Sequence, residues 1–146
     1  MLEIEKAIVE RVSNDATIQT IMGGTAADRR IYAWFPIGDV VFTERTIECA
    51  VIYRTSYTGY PWRWSYPQQS SEMQLFFRIA SINQLKLGQV SERLIDLFDK
   101  GSLQSTNWSV RWIEVVSVVE GLNEGEATKP IHIRNQSYRL GTVLKR

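Results

Sequence analysis

Hydrophobic residues recur along part of this chain every three or four positions, which is the spacing of an amphipathic helix. The pattern predicts one helix over residues 2–12 and a longer one over residues 83–99. A short helical piece follows the first helix, with Ser13 or Asn14 as its cap. A capping box that begins at Ser81 marks the start of the longer helix.

Elsewhere, apolar and polar residues alternate with period two, which is typical of half-buried strands. The predicted strands are Arg30–Phe35, Thr46–Ser56, Glu72–Ala80, Trp108–Val119 and Ile131–Leu144. The second and third of these are joined by an aromatic-rich connection, so we expect an extended antiparallel hairpin. A Gly- and Glu-rich segment, Glu120–Lys129, is predicted to be a mobile loop between the last two strands.

The order of these elements sets the fold class. Strands that follow one another without helical crossovers favour an antiparallel sheet with the helices gathered on one face. The sequence therefore predicts an α+β fold: an antiparallel β-sheet, helices packed on one face and an extended β-hairpin. The 146 residues suit a single domain spanning 1–146, with the aromatic hairpin over about residues 54–72.

The connection between the two central strands is unusually aromatic. Its candidate interface residues are Tyr57, Tyr60, Trp62, Arg63, Trp64 and Tyr66. If the segment is extended, period two places Trp62, Trp64 and Tyr66 on one side. Large rings of this kind anchor protein interfaces because they offer much contact area at little entropic cost.

Three interpretations of this aromatic segment stay open on sequence alone. The rings are an intersubunit contact, or they fold back and cover the domain's own sheet, since contiguous exposed apolar patches are rare on monomers. A third interpretation is stacking against sugars or single-stranded nucleic acid.

Charge and composition narrow the range of partners. Lys and Arg number 17 against 16 Asp and Glu, for a formal charge of +1, so we expect no sequence-specific nucleic acid as a partner.

Charges interrupt the apolar residues of the N-terminal segment, which predicts that it is not a signal peptide. No window predicts a membrane span, and folding in the cytoplasm is expected.

The residue types that catalysis requires are scarce. The chain has one histidine, His132, and one cysteine, Cys49. No metal-ligand spacing and no nucleophile motif of the G-x-S-x-G type is present. Cys49 alternates with apolar neighbours, so we interpret it as a buried structural thiol. We expect no enzyme activity, no catalytic residues, no metal and no cofactor.

The ordered features resemble the small tail-terminator, or tail-completion, proteins of long-tailed bacteriophages. The similarity lies in the Ser13-Asn14-Asp15 break, the run from Arg30-Ile31-Tyr32 to Pro36, the strand Ile47–Arg54, the strand Met73–Ala80 leading directly into the helix Asn83–Asp99, and a final strand bearing Tyr138. The resemblance covers nearly the whole chain and rests on element order and size.

The resemblance implies a structural virion protein. Members of that family form a ring, commonly of six subunits, on the finished tail tube; the ring ends tube growth and meets the connector of the head. The implied partners are further copies of this chain, the tail tube protein and the head–tail connector protein, with no membrane partner. The implied location is the head–tail junction of the virion, after assembly in the host cytoplasm. Two alternatives are a head-side connector or neck protein and a stand-alone binding module.

Overall fold

Three helices and seven strands make up the described residues, which are 2–22, 31–33, 49–59, 70–121, 124–126 and 129–144 of a computed structural model. The helices are α1 (Leu2–Ser13), α2 (Ala16–Met22) and α3 (Gln84–Phe98). The strands are β1 (Ile31–Ala33), β2 (Cys49–Gly59), β3 (Ser70–Ser81), β4 (Leu103–Gln104), β5 (Trp108–Glu120), β6 (Glu124–Glu126) and β7 (Lys129–Leu144).

The strands form one sheet in the order β1-β2-β3-β7-β5-β4, and β6 pairs with β7 off this path. Neighbouring strands are antiparallel, except that β1 runs parallel to β2. The helices cover one face of this sheet. The predicted α+β class, with an antiparallel sheet and helices on one face, is therefore confirmed.

The predicted hairpin is also confirmed. Strands β2 and β3 pair without interruption, from Cys49 opposite Ser81 to Gly59 opposite Ser71. Both strands extend beyond their predicted ends, so the paired ribbon is longer than the alternation in the sequence indicated. The residues that join its two strands, 60–69, lie outside the described part of the chain.

One predicted loop contains a strand. The segment Glu120–Lys129 was predicted to be mobile because it is rich in Gly and Glu, but β6 lies within it and pairs with β7, Glu124 opposite Ile131. Backbone pairing explains the difference, because a strand is stabilised by its neighbour's amide and carbonyl groups as well as by its own side chains.

Apolar stripes explain why the helices pack against the sheet. In α1, Ile4, Ile8 and Val12 lie on one face and are each at most 1% exposed. The stripe of α3 consists of Leu87, Val90, Leu94 and Phe98, all buried. Fully burying a side chain of this size contributes about 1.5–3 kcal/mol, so these stripes fix which face of the sheet the helices cover.

The residues that cap α2 and α3 differ from the predicted ones. Asp15, rather than Ser13 or Asn14, caps α2, since its Oδ2 accepts a hydrogen bond from the Ile18 N–H at 3.0 Å. Asn83 caps α3, since its Oδ1 accepts hydrogen bonds from the Leu85 and Lys86 N–H groups, and the Ser81 hydroxyl oxygen in turn accepts from the Asn83 N–H. Several adjacent polar residues can cap a helix, and the chain's direction of entry selects one.

Aromatic rings fill the centre of the core. Phe77 of β3 lies 5.3 Å from Phe98 and 5.8 Å from Tyr138, measured between ring centroids. The Tyr138 hydroxyl donates to Gln136, whose amide donates to both the Ser91 carbonyl and its hydroxyl. Burial raises the pKa of Tyr138, which keeps its hydroxyl a donor and the buried polar network satisfied.

Charged side chains attach the helices to one another. Arg93 of α3 donates two hydrogen bonds to Asp15, at 3.0 and 2.7 Å. Arg11 of α1 donates to the Leu97 and Ser102 carbonyls at the end of α3, where backbone acceptors otherwise lack partners. These contacts hold α3 in place over β3, β7 and β5.

Candidate interaction surfaces

The predicted aromatic site is described by the structure only at its edge. Tyr57 lies in β2, where its backbone pairs with Met73 of β3. The other predicted interface residues, Tyr60, Trp62, Arg63, Trp64 and Tyr66, lie outside the described residues. The geometry therefore fixes where the segment joins the sheet, at the β2–β3 end that also carries the start of β5 and the end of β7.

The face of the sheet opposite the helices is largely polar. Arg54 of β2 places its guanidinium 4.9 Å from the centre of the Phe76 ring on β3, a cation–π contact. Glu72 and Arg139 form an ion pair on the same face, and this pair lowers the pKa of the Glu72 carboxyl. Arg139 lies opposite Glu114 of β5. This face is therefore a solvated surface of paired charges.

A tryptophan covers the end of this polar face. Trp112 lies against Gly141 of β7, where an added Cβ would come within 2.1 Å of the indole Nε1. The glycine is needed for this close approach, since any side chain would displace the ring. The indole remains 43% exposed.

The second half of β5 carries three exposed valines that the sequence analysis did not single out. Val116, Val118 and Val119 are 55%, 45% and 56% exposed. Val118 lies opposite Gln136 and Val119 opposite Asn135, so these two project from opposite faces of the strand and leave apolar surface on both of them. The signal in the sequence was the run Val-Val-Ser-Val-Val at 115–119, whose alternation was broken.

Two further exposed apolar residues lie at the start of α3. Ile82 is 49% and Leu85 70% exposed. Gly88, one turn further along α3, faces Arg134 of β7, which pairs with Glu120 at the end of β5. The start of α3 and the end of β5 thus lie at the same end of the molecule, opposite the end that carries the aromatic connection.

Histidine and cysteine, which bind metal ions and act in catalysis, are scarce among the described residues. Among them, no three His, Cys, Asp or Glu side chains are grouped to hold a metal ion. Cys49 is buried in the core, as its alternation with apolar neighbours predicted. His132 is half-buried on β7, opposite Ser81. In the same part of the chain, no helix has the length and apolar character needed to cross a membrane.

The carboxylates with lowered pKa values serve structural contacts. Glu3 accepts hydrogen bonds from the backbone N–H and side-chain amide of Asn107 and from the Ser105 hydroxyl, and the first of these is the main cause of its lowered pKa. The pKa of Asp15 is lowered mainly by the hydrogen bonds from Arg93. Both groups therefore act by joining α1 and α2 to the rest of the domain.

Solved structures share this fold. A chain of a structure described as the virion of a native gene transfer agent particle matches with a TM-score of 0.66 and 8% sequence identity, over 98% of this chain and 96% of that one. A second structure, known only by a sequence identifier, matches with a TM-score of 0.53 and 15% identity, over 98% and 94%. No protein-family model and no curated protein matches in sequence. At these identities the likeness establishes the fold.

Proposed function

We propose that this chain is a structural protein of a tailed, phage-like virion, and that it forms a homo-oligomeric ring at the end of the tail tube. The ring ends polymerisation of the tube and offers a surface to the connector of the head. The observation that supports this proposal most is the full-length likeness to a chain of the gene transfer agent virion, which leaves almost no part of either chain unmatched.

The described surfaces suit a protein that acts through contact. Several of its carboxylates and arginines hold helices and strands together. Exposed apolar side chains lie at the end of β5. A ring subunit needs two different flanks that fit each other and two end faces for unlike partners. Within the described residues, the sheet has two different margins, at β1 and at β4–β5, and two ends.

Electron microscopy of particles carrying an epitope tag on this chain tests the proposal. We expect ring-shaped density for the tagged chain between the tail tube and the head, and added purified chain should bind the ends of isolated tail tubes. Density on the head side of the connector would instead identify a neck protein. Absence of the chain from purified particles would overturn a virion role altogether.

The aromatic segment is proposed as part of the contact with the tube or with a neighbouring subunit. Removal of a tryptophan that anchors an interface costs about 2 kcal/mol or more of binding, whereas loss of a core tryptophan costs about 3–5 kcal/mol of folding stability. The combined change Trp62→Ala and Trp64→Ala should therefore abolish assembly and leave the melting temperature of the isolated subunit unchanged.

Leu85→Ala is the control for this experiment, because it removes a large, 70% exposed apolar side chain at the start of α3, at the opposite end of the molecule from the segment. It should retain assembly. A collapse of the melting transition in the double variant would mean that Trp62 and Trp64 belong to the domain's own core, and the contact role of the segment would then be wrong.

A further inference from the structure

Strand β5 contains a segment whose composition favours the addition of a strand from another chain. Residues 115–119 are four valines and one serine, and Val116, Val118 and Val119 are each about half exposed. Short β-branched segments without charge or proline readily pair with the same segment of another copy. Among the described residues, only the two residues of β4 pair with the outer margin of β5. An unprotected margin of this composition would promote aggregation.

The end of α3 occupies the middle of this margin. The Lys100 N–H donates to the Ile113 carbonyl at 2.8 Å, and the Asp99 side chain accepts from the Val115 N–H at 3.1 Å. Lys100 has a φ of 59°, in the left-handed region that residues with a side chain seldom adopt. The chain takes this unfavourable conformation at the point where its N–H reaches β5. Two backbone groups on the outer side of β5 are therefore used within the subunit.

Two bulges interrupt the margin, one on each side of this contact. The pairing of β5 with β7 shifts by one residue at Arg111 and again at Val116. A bulge disrupts the even spacing of the backbone groups and bends and twists the strand. Natural sheets use bulges of this kind, and covering elements such as the end of α3, to prevent pairing between the edges of two molecules.

The part of the margin that stays open after the second bulge is short. The Gly121 N–H donates to the Ile133 carbonyl at 2.9 Å, so this group faces β7. Because backbone groups alternate in direction along a strand, those of Val118 and Glu120 face outward. Glu120 also places a charged side chain, 75% exposed, at the end of this part. A very short edge and a charge upon it are both protective features.

We propose that the bulge at Val116 and the turn Asp99–Lys100 form a device that prevents the β5 margin from pairing with another copy of this chain. The turn uses the outward backbone groups before the bulge, and the bulge shifts those after it out of step with them. No continuous edge is left for an added strand, although residues 115–119 favour one. The device goes beyond the proposed ring and does not depend on it, and any association of copies then uses other surfaces.

Deletion of Val116 tests the bulge. Val115 lies opposite Tyr138 and Ser117 opposite Ser137, so the deletion removes only the extra residue and brings the backbone groups on both sides of it into step. We expect the variant to self-associate at a concentration about tenfold or more below that of the parent, because each added backbone hydrogen bond favours pairing severalfold. Sedimentation velocity over a range of concentrations measures association, and thioflavin T fluorescence reports open-ended strand pairing.

A lysine on the margin distinguishes strand pairing from other causes of association. Val118→Lys, added to the deletion variant, places a charge on the realigned edge and should return association to that of the parent. Leu85→Lys, added to the same variant, is the matched control, because Leu85 is an exposed apolar residue at the start of α3 rather than on β5. It should leave the association of the deletion variant unchanged. An equal effect of both lysines would show association through apolar surface in general and would overturn the proposal.

Substitutions of Asp99 test the turn without changing the length of β5. Asp99→Ala frees the Val115 N–H, whereas Asp99→Asn keeps a side-chain oxygen that can accept from it. We expect Asp99→Ala, and not Asp99→Asn, to strengthen self-association, and circular dichroism and melting temperature identify the variants that fold. If the deletion of Val116 unfolds the chain, the Asp99 pair decides alone. Folded variants that associate no more than the parent overturn the device, whereas the place of a tagged chain in the particle is read independently by microscopy.

Discussion

The two halves of β5 consist of similar residues and lie in very different surroundings. In the first half, Val110 and Ile113 are 1% and 2% exposed beneath the helices. In the second half, Val118 and Val119 are 45% and 56% exposed. Burial of valine stabilises a fold by about 25 cal/mol for each Å² of apolar surface removed from water. Among the described residues, the second half of β5 lacks most of that stabilisation, because its valines stay about half exposed.

A bulge marks the change between the halves. The pairing of β5 with β7 shifts between Val115 and Ser117, so that Val116 is an extra residue in the strand. A bulge re-aims the side chains that follow it and increases the local twist. Here it follows the last backbone contact with the end of α3, the bond from Val115 to Asp99. Within the described residues, the bulge therefore lies where the hydrogen bonds between β5 and the end of α3 stop.

The largest expected effect on stability comes from removing an aromatic ring on the buried face of the sheet, compared with one on the polar face. Phe77→Ala removes the central ring of the core and should lower the free energy of unfolding by about 3–5 kcal/mol. Phe76→Ala, at the next residue of β3, removes a ring on the polar face that contacts Arg54, and should cost about 1 kcal/mol. Urea-induced unfolding followed by circular dichroism measures both. Equal losses would contradict the assignment of these faces.

A smaller effect is expected when the same substitution is made in each half of β5. Val110→Thr puts a hydroxyl into the core and should destabilise the fold by about 1–3 kcal/mol. The same substitution at Val118 should stay within about 0.5 kcal/mol of the parent. Because the two changes are chemically identical, their difference reports only the surroundings. A loss at Val118 as large as at Val110 would mean that Val118 is covered within its own subunit.

Much of this architecture could be predicted from the sequence, because it depends on local periodicity. The hairpin of β2 and β3 and the apolar stripe of α3 follow from side chains that alternate or recur regularly. The exposure of the valines in the second half of β5 could not be predicted. A bulge shifts the alternation by one residue, and a run of valines gives no sign of which face each one takes.

The candidate site was predicted only in part for a related reason. The aromatic residues stand out by type, whereas the exposure of the valines at the end of β5 depends on which residues the rest of the fold covers, which is a tertiary property. Likewise, β6 lies in a Gly- and Glu-rich segment, and only its pairing with β7 makes it a strand. The aromatic segment could be identified from residue type, whereas strand β6 and the exposed valines of β5 depend on tertiary contacts.

The smallest expected effect concerns the contact between α2 and α3. The pKa of Asp15 is lowered in the folded state, mainly by the hydrogen bonds from Arg93. A lowered carboxyl pKa stabilises the fold above the unfolded value of about 3.9, and this contribution is lost as the pH falls through the folded pKa. Asp15→Asn keeps an oxygen for the Ile18 N–H but removes the charge, so it should cost about 0.5–1 kcal/mol at neutral pH.

Urea unfolding of the parent and of Asp15→Asn, measured from neutral to strongly acidic pH, checks both the size and the sign of this effect. The two stability curves should converge in acid, because protonated Asp15 is as uncharged as asparagine. Glu10→Gln is the control, since Glu10 lies 3.9 Å from Lys6 in an exposed pair that contributes about 0.3 kcal/mol. If the Asp15→Asn difference persists unchanged in acid, the ion pair with Arg93 is not its cause.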